Sequence, residues 1–170
     1  MLKINIEDYK ENVFTEINNK WGIITAGDKT SGFNGMTVSW GGFGIMWNKP
    51  VAYIFVRKSR YTHDILDKSN HITIAFLSDK YKEAKALFGS KSGRDINKYE
   101  AANLHPVFEP DFNGYYPSEA DYVFKMNVLY KKDLDSMPKD IEAKFYPTND
   151  LHTMYICEIK QYLAKEELVK

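Results

Sequence analysis

Tyr122-Val123-Phe124-Lys125-Met126-Asn127-Val128-Leu129-Tyr130 alternates, with Phe124, Met126, Val128 and Tyr130 on one side of an extended chain. A period of two marks a strand with one face against a core. Thr153–Tyr162 reads as a second long strand, and Pro138–Lys144 as a helix between the two. Toward the N-terminus, His71–Leu77 and Val51–Val56 are apolar runs of β-branched and aromatic residues, and Pro50 opens the latter. Trp21–Ala26 and Met36–Trp40 read as strands, Gly27–Gly32 as a loop, and Gly41-Gly42-Phe43-Gly44 as a turn. The expected helices are short. They cover residues 7–14, Thr62–Lys68 with Thr62 as N-cap, and Lys80–Phe88 stopped by Gly89, with another over 95–104. The sum is about six or seven strands at irregular spacing, without the ~30-residue βαβ repeat of a doubly wound sheet. The expectation is a mainly β (α+β) fold: an antiparallel barrel with peripheral short helices, in a single domain over 1–170.

Composition narrows the function classes. Lys plus Arg equals Asp plus Glu, 23 against 23, so no net field draws nucleic acid or an anionic membrane, and neither is expected as a partner. The charge is unevenly spread, however. Residues 57–98 carry ten Lys/Arg against five Asp/Glu, and residues 99–150 carry five against ten. One cysteine, Cys157, excludes an intrachain disulfide. It shares a strand face with Tyr155 and Ile159 and reads as a core thiol. The acidic N-terminus lacks a signal-peptide core, no apolar run reaches membrane-span length, and a reducing cytoplasm is the expected setting.

The basic half overlaps a broken trail of small polar residues and arginines. It runs Asn34-Gly35-Met36-Thr37-Val38-Ser39-Trp40, then Arg57-Lys58-Ser59-Arg60-Tyr61-Thr62, then Gly89-Ser90-Lys91-Ser92-Gly93-Arg94-Asp95. Hydroxyls, free backbone N–H groups and guanidinium forks at strand ends and helix starts suit a phosphate. Trp40 and Tyr61, within the same segments, suit a flat ring attached to it. The trail therefore points to an aromatic nucleotide cofactor. Known nucleotide motifs are absent. Gly22/Gly27 and Gly27/Gly32 have P-loop spacing without the following Lys-Ser/Thr, and Gly42-Phe43-Gly44 lacks the third glycine of a dinucleotide fingerprint. Any NAD(P)H would bind transiently, without a Rossmann fold. The four histidines form no i, i+4 pair and no cysteine pair exists, so no metal site is expected.

With these segments, the chain resembles the flavin reductase-like proteins that bind FMN in a split β-barrel. Asn34–Trp40, Arg57 with Arg60-Tyr61-Thr62, and Gly89–Asp95 carry the resemblance. Phe145-Tyr146-Pro147 and the strand from His152 to Ile159 extend it. It implies a homodimer with FMN near the subunit interface. It implies that Asn34, Thr37, Ser39 and Trp40, with Met36 beside them, contact the flavin. Arg57, Arg60, Tyr61 and Thr62 would lie by the ribityl phosphate, and Ser90, Lys91 and Ser92 would close the site. Gly35 stands where the family carries a small residue with a Cβ, which would loosen that loop. The implied activity is NAD(P)H-dependent reduction of flavin at N5, with a small flavin or other acceptor taking the electrons. His152 is a candidate group near the ring. A flavoredoxin-like carrier without nicotinamide turnover is the alternative, and a barrel holding haem or pyridoxal phosphate is a third reading.

Overall fold

The computed structural model describes residues 1–169. Ten strands form in chain order: β1 (Leu2–Ile4), β2 (Gly22–Asp28), β3 (Gly32–Val38), β4 (Gly41–Met46), β5 (Lys49–Arg57), β6 (His71–Phe76), β7 (Pro106–Glu109), β8 (Gly114–Pro117), β9 (Tyr122–Asp133) and β10 (His152–Ala164). The helices are α1 (Val13–Thr15), which runs into a π-helical turn at Glu16–Lys20, α2 (Tyr61–Leu66), α3 (Lys82–Ser90), α4 (Lys98–Ala101) and α5 (Lys139–Phe145). Among the described residues, no helix is long and apolar enough to cross a membrane.

Eight strands make one antiparallel sheet, seven of them in the order β3-β2-β6-β9-β10-β5-β4 and the eighth, β1, branching off β10. β10 spans both halves: its first part pairs with β5, and its last three residues pair with β1. The path ends at β3 and β4, which are consecutive in sequence and joined only by Ser39 and Trp40. The barrel is therefore split where the chain steps from one edge to the other. Inside it lie Ile24, Ala26, Met36, Val38, Ile54, Phe124, Met126, Tyr155 and Cys157. A second layer covers the opposite face of β2, β6 and β9. There Ile23, Ala75, Leu77 and Val123 meet Ala84 and Phe88 of α3, Tyr99 of α4 and Tyr116 of β8. With apolar neighbours on both sides, β2 is buried at every residue and reads as a continuous rather than alternating run.

Several expectations need correction. Ten strands form among the described residues, because β1, β7 and β8 are too short to show a period. The Gly41–Gly44 stretch is strand, paired from Gly41↔Ile54 to Met46↔Lys49. The reversal lies at Trp47 and Asn48, whose φ values of 50° and 58° meet the requirement of a type I′ hairpin turn. β2 and β3 leave only residues 29–31 as a turn, and β3 ends at Val38, short of Trp40. The 7–14 helix is replaced by a 3₁₀ turn at Ile6–Asp8 and the later α1. α3 continues through Gly89 to Ser90, with Lys91 as its C-cap. The N-cap of α2 is Arg60, and Thr62 is fully buried inside the helix. Tyr130 leaves the face of Phe124, Met126 and Val128. A bulge lets Cys157 pair with Val128 but Ile156 with Tyr130, skipping Leu129 and turning Tyr130 outward.

Gly35 does not loosen a loop. It is buried in mid-strand opposite Thr25, and a Cβ there would stand 2.5 Å from Cε1 of Phe88. The α3 helix packs its largest side chain where β3 has none. The core thiol reading of Cys157 holds: it is fully buried, and desolvation raises its pKa far above the ordinary thiol range.

Candidate functional site

The segments of the trail meet at the split. Three hollows adjoin there in a row. The first, about 220 Å³, is walled by Met36–Trp40, Phe55, Arg57, Arg60 and His152. The second, about 180 Å³, shares Met36, Arg57 and Arg60 with it and adds Ser59, Tyr61 and Thr62, the Ser90–Gly93 loop, Lys98 and Asp150. The third, about 450 Å³, shares Tyr61, Gly93 and Lys98 with the second and no residue with the first.

In the first hollow, Met36 and Val38 come from the barrel interior, while Ser39 and Trp40 form the joint between β3 and β4. Trp40 stands edge-on to Phe145, 5.5 Å between ring centroids, and 5.0 Å from the His152 imidazole. The Thr37 hydroxyl donates to the Lys85 carbonyl of α3 and is thereby occupied. His152 is buried, and its Nδ1 lies 2.8 Å from the Tyr146 hydroxyl. Burial and then Arg57 push its pKa down to about 4, partly opposed by Asp150, with Arg60 adding a smaller push downward. His152 is therefore neutral near pH 7, with Nδ1 engaged and Nε2 left for other contacts.

In the second hollow, the two arginines differ. Arg57 is committed to the chain: Nη1 donates to the Asp150 carbonyl at 2.7 Å, Nη2 to the Phe145 carbonyl at 3.0 Å, and the guanidinium lies 5.0 Å from the Tyr146 ring centroid. Arg60 has no side-chain hydrogen bond or ion pair among the described residues, and it lines both hollows. Ser59 anchors Asp150 through its N–H at 3.1 Å and its hydroxyl at 2.7 Å. Ser90 returns its hydroxyl to the Ala86 carbonyl, Lys91 is exposed, and Ser92 Oγ accepts from the N–H of Arg94. Thr62 Oγ1 accepts from Asn34 Nδ2 at 2.8 Å. That bond holds Asn34 at the third hollow, away from the first. Gly93 makes this packing possible, since a Cβ there would collide with Asn34 Oδ1 and stand 3.0 Å from Tyr61.

Lys98 was not marked by the sequence. It is 4% exposed, and Nζ donates to the carbonyls of Phe88 at 2.9 Å and Gly35 at 3.0 Å. Burial, with a smaller contribution from the nearby Arg60, lowers its pKa to about 8. Four cations (Arg57, Arg60, Lys91, Lys98) line the second hollow against the single carboxylate of Asp150. A desolvated ammonium with a guanidinium pressing on it and no carboxylate of its own is costly unless an anion joins them. The second hollow thus suits a phosphate, and the first, with its aromatic wall and apolar floor, a flat ring. Among the described residues there is no cluster of His, Cys, Asp or Glu able to hold a metal ion.

The family model for the flavin reductase like domain matches residues 14–170. Solved structures with the same fold include the flavoredoxin of Desulfovibrio vulgaris (Miyazaki F), at 20% identity and TM-score 0.71, covering 88% of this chain and 72% of that one. The FMN-binding protein of Thermus thermophilus with bound 1-cyclohex-2-enone has 15% identity and TM-score 0.71, over 100% of this chain and 84% of that one. The NADH:FAD oxidoreductase of Streptomyces globisporus C-1027 has 14% identity and TM-score 0.65, over 86% and 75%. No curated protein matches the chain.

Proposed function

We propose that this chain, which belongs to the flavin reductase-like family, binds FMN in the first and second hollows and works as an NAD(P)H-dependent flavin oxidoreductase. The observation that carries this reading is the pair Arg60 and Lys98, two cations on one small hollow without a carboxylate partner of their own. A flavin phosphate, with about −1.5 to −2 charges by analogy with other phosphomonoesters, answers that demand. Trp40, Met36, Ser39 and His152 would border the ring, and Arg60, Tyr61, Ser90, Lys91 and Ser92 the phosphate. Bound there, FMN would supply two-electron chemistry, accepting a hydride from NAD(P)H at N5 and releasing electrons to a small flavin or another acceptor. The protein's part is position and electrostatics. His152 stays neutral beside the ring position, Trp40 covers it at the split, and Arg60 and Lys98 fix the charged end.

The same reading includes a homodimer. Ile45 and Trp47 at the β4–β5 hairpin, and Leu129 and Tyr130 at the β9 bulge, are large apolar side chains left in solvent. A second copy would cover them. The likeness to a flavoredoxin supports the alternative, an FMN-binding electron carrier without nicotinamide turnover. The purified protein's visible spectrum tests FMN binding: absence of flavin absorbance after incubation with excess FMN overturns the reading. Anaerobic oxidation of NADH and NADPH with added FMN then separates reductase from carrier. Turnover with either nucleotide supports the reductase, and tight FMN binding without turnover supports the carrier.

A further inference from the structure

A separate cleft of about 460 Å³ lies between α2 and the ends of β9 and β10, and it shares no residue with the three hollows. His63 of α2 stands in it, half-buried. Its Nε2 is 3.1 Å from Thr153 Oγ1 of β10, and its Nδ1 is 3.5 Å from Asp67 Oδ2, one turn along the helix. The other oxygen of Asp67 accepts from Lys131 of β9 at 2.8 Å. Thr153 donates its hydroxyl proton to Asp133 Oδ1 of β9 at 2.7 Å, and Lys58 pairs with Asp133 Oδ2. Lys58, then Thr153, hold the Asp133 carboxyl below the usual carboxylate range, so it acts as an acceptor alone. Tyr155 of β10 meets the imidazole edge-on, 6.2 Å between ring centroids, and burial raises its pKa, which keeps it neutral. At the rim, Lys132 and Asp135 pair with each other at 3.0 Å.

Bond direction decides what the imidazole must do. A hydroxyl has one proton to give, and that of Thr153 is committed to Asp133, so Thr153 Oγ1 accepts from His63 Nε2–H. A neutral ring would then aim the Nδ1 lone pair at a carboxylate oxygen, two acceptors face to face. Only the imidazolium donates from both nitrogens. We propose that His63 is a positioning residue for the flavin phosphate: its protonation closes a latch between α2 and the ends of β9 and β10, and flavin is held more tightly in that state. This rests on the placement of the phosphate in the second hollow. The link is short. The His63 N–H donates to the Arg60 carbonyl at 2.8 Å, and Arg60 and Thr62 line that hollow. Thr153 follows His152, which borders the first hollow. Holding His63 against Thr153 therefore fixes the start of α2 against the strand at the ring end. The added positive charge also favours the phosphate dianion. Histidine changes charge between about pH 5 and 8, so flavin retention would follow pH within that range.

Flavin-free protein is titrated with FMN by fluorescence at about pH 5.5 and about pH 7.5, for the natural chain, His63→Gln and Asp67→Asn. The flavin phosphate titrates in this range, and so does Lys98, with its pKa of about 8. Both are common to the three chains, so comparing the ratio of dissociation constants between chains isolates His63. His152, at about 4, is silent here. On acidification the natural chain is expected to gain FMN affinity by at least about three-fold relative to either variant. In Asp67→Asn the amide oxygen keeps Lys131 while the amide N–H reaches the neutral Nδ1, so the latch closes without the proton. That variant is expected to bind FMN at the higher pH at least as tightly as the natural chain does. Position 67 is exposed, so this arm stands should His63→Gln fail to fold. Either variant keeping the natural pH response overturns the proposal, as does an Asp67→Asn chain that binds FMN more weakly at the higher pH. If FMN binds no chain at either pH, the flavin reading itself has failed, and the latch falls with it.

Discussion

Arg57 and Arg60 stand three residues apart in a basic segment and do different work. Arg57 ties the end of β5 to the Phe145 and Asp150 carbonyls, whereas Arg60 meets no side-chain partner among the described residues. Arg57→Ala should leave two carbonyls without their donor and cost about 1–3 kcal/mol of stability, read by urea unfolding. Arg60→Ala should change stability by no more than ~0.5 kcal/mol. It should instead weaken FMN by about ten-fold or more, through loss of a charge-assisted contact. Equal effects of the two on unfolding would refute this division. Both arginines were legible in the sequence as basic residues between a strand end and a helix start. Their division was not, because the carbonyls that engage Arg57 lie 88 and 93 residues away. Lys98 was missed for the same reason: its partners are the Gly35 and Phe88 carbonyls, and burial rather than sequence context makes it unusual. His152 supplies a pH test. Its pKa falls from 6.5 to about 4 on folding, so the unfolded chain binds a proton that the native site refuses. Its share of stability is full above about pH 6.5, declines as pH falls through that window, and is spent below about 4. His152→Gln should flatten the stability slope between pH 7 and 4.5. An unchanged slope would place the acid sensitivity elsewhere.

At the level of elements, side-chain period was a good guide where one face meets a core and a poor one elsewhere. β9 and β10 were legible because Phe124, Met126, Tyr155 and Cys157 line the barrel interior. β4 was not, because its glycines mimic a turn while the reversal sits on Trp47 and Asn48, residues without the usual turn chemistry. The bulge at Leu129 was equally hidden. It breaks the alternation after Val128, and only pairing with β10 reveals the extra residue. β3 and α3 show how one small residue sets an interface. Phe88 is fully buried against Gly35, and the Lys98 ammonium bridges the carbonyls of these same two residues. Gly35→Ala should therefore force Phe88 off its seat and destabilise the protein by about 1–3 kcal/mol, as overpacking does. Because Lys98 is tethered to the displaced backbone, the same variant should also lower flavin affinity. Gly35→Ala combined with Phe88→Leu should recover part of both losses, since the shorter side chain vacates the position the new methyl needs. Failure of the pair to recover either would show that α3 does not rest on Gly35 in this way.

Over the whole molecule, one topological fact places the cleft and leaves a surface open. The sheet does not close between β3 and β4, and Ser39 and Trp40 carry the chain across the gap. The first hollow opens at that gap and the second adjoins it, while β4 is left as an edge strand with exposed neighbours. Ile45 is 71% exposed and Trp47 55% exposed, and the ring centroids of Trp47 and Tyr130 of β9 are 6.5 Å apart. A bulky residue held at positive φ in a hairpin tip is an unfavourable way to place an indole in water. That cost is offset if the indole is buried in an assembly. Net charge gives no opposition, since 23 basic and 23 acidic residues cancel at neutral pH. The protein is therefore expected to sediment as a dimer at micromolar concentration, and Trp47→Asp should shift it to a monomer. A Trp47→Gly variant separates contact from backbone strain. It relieves the positive φ yet deletes the indole, so it should also favour the monomer while melting no earlier than the natural chain does at dilutions where both are monomeric. A natural chain that stays monomeric at tens of micromolar, or a Trp47→Asp variant that still dimerises, would move the interface away from this hairpin.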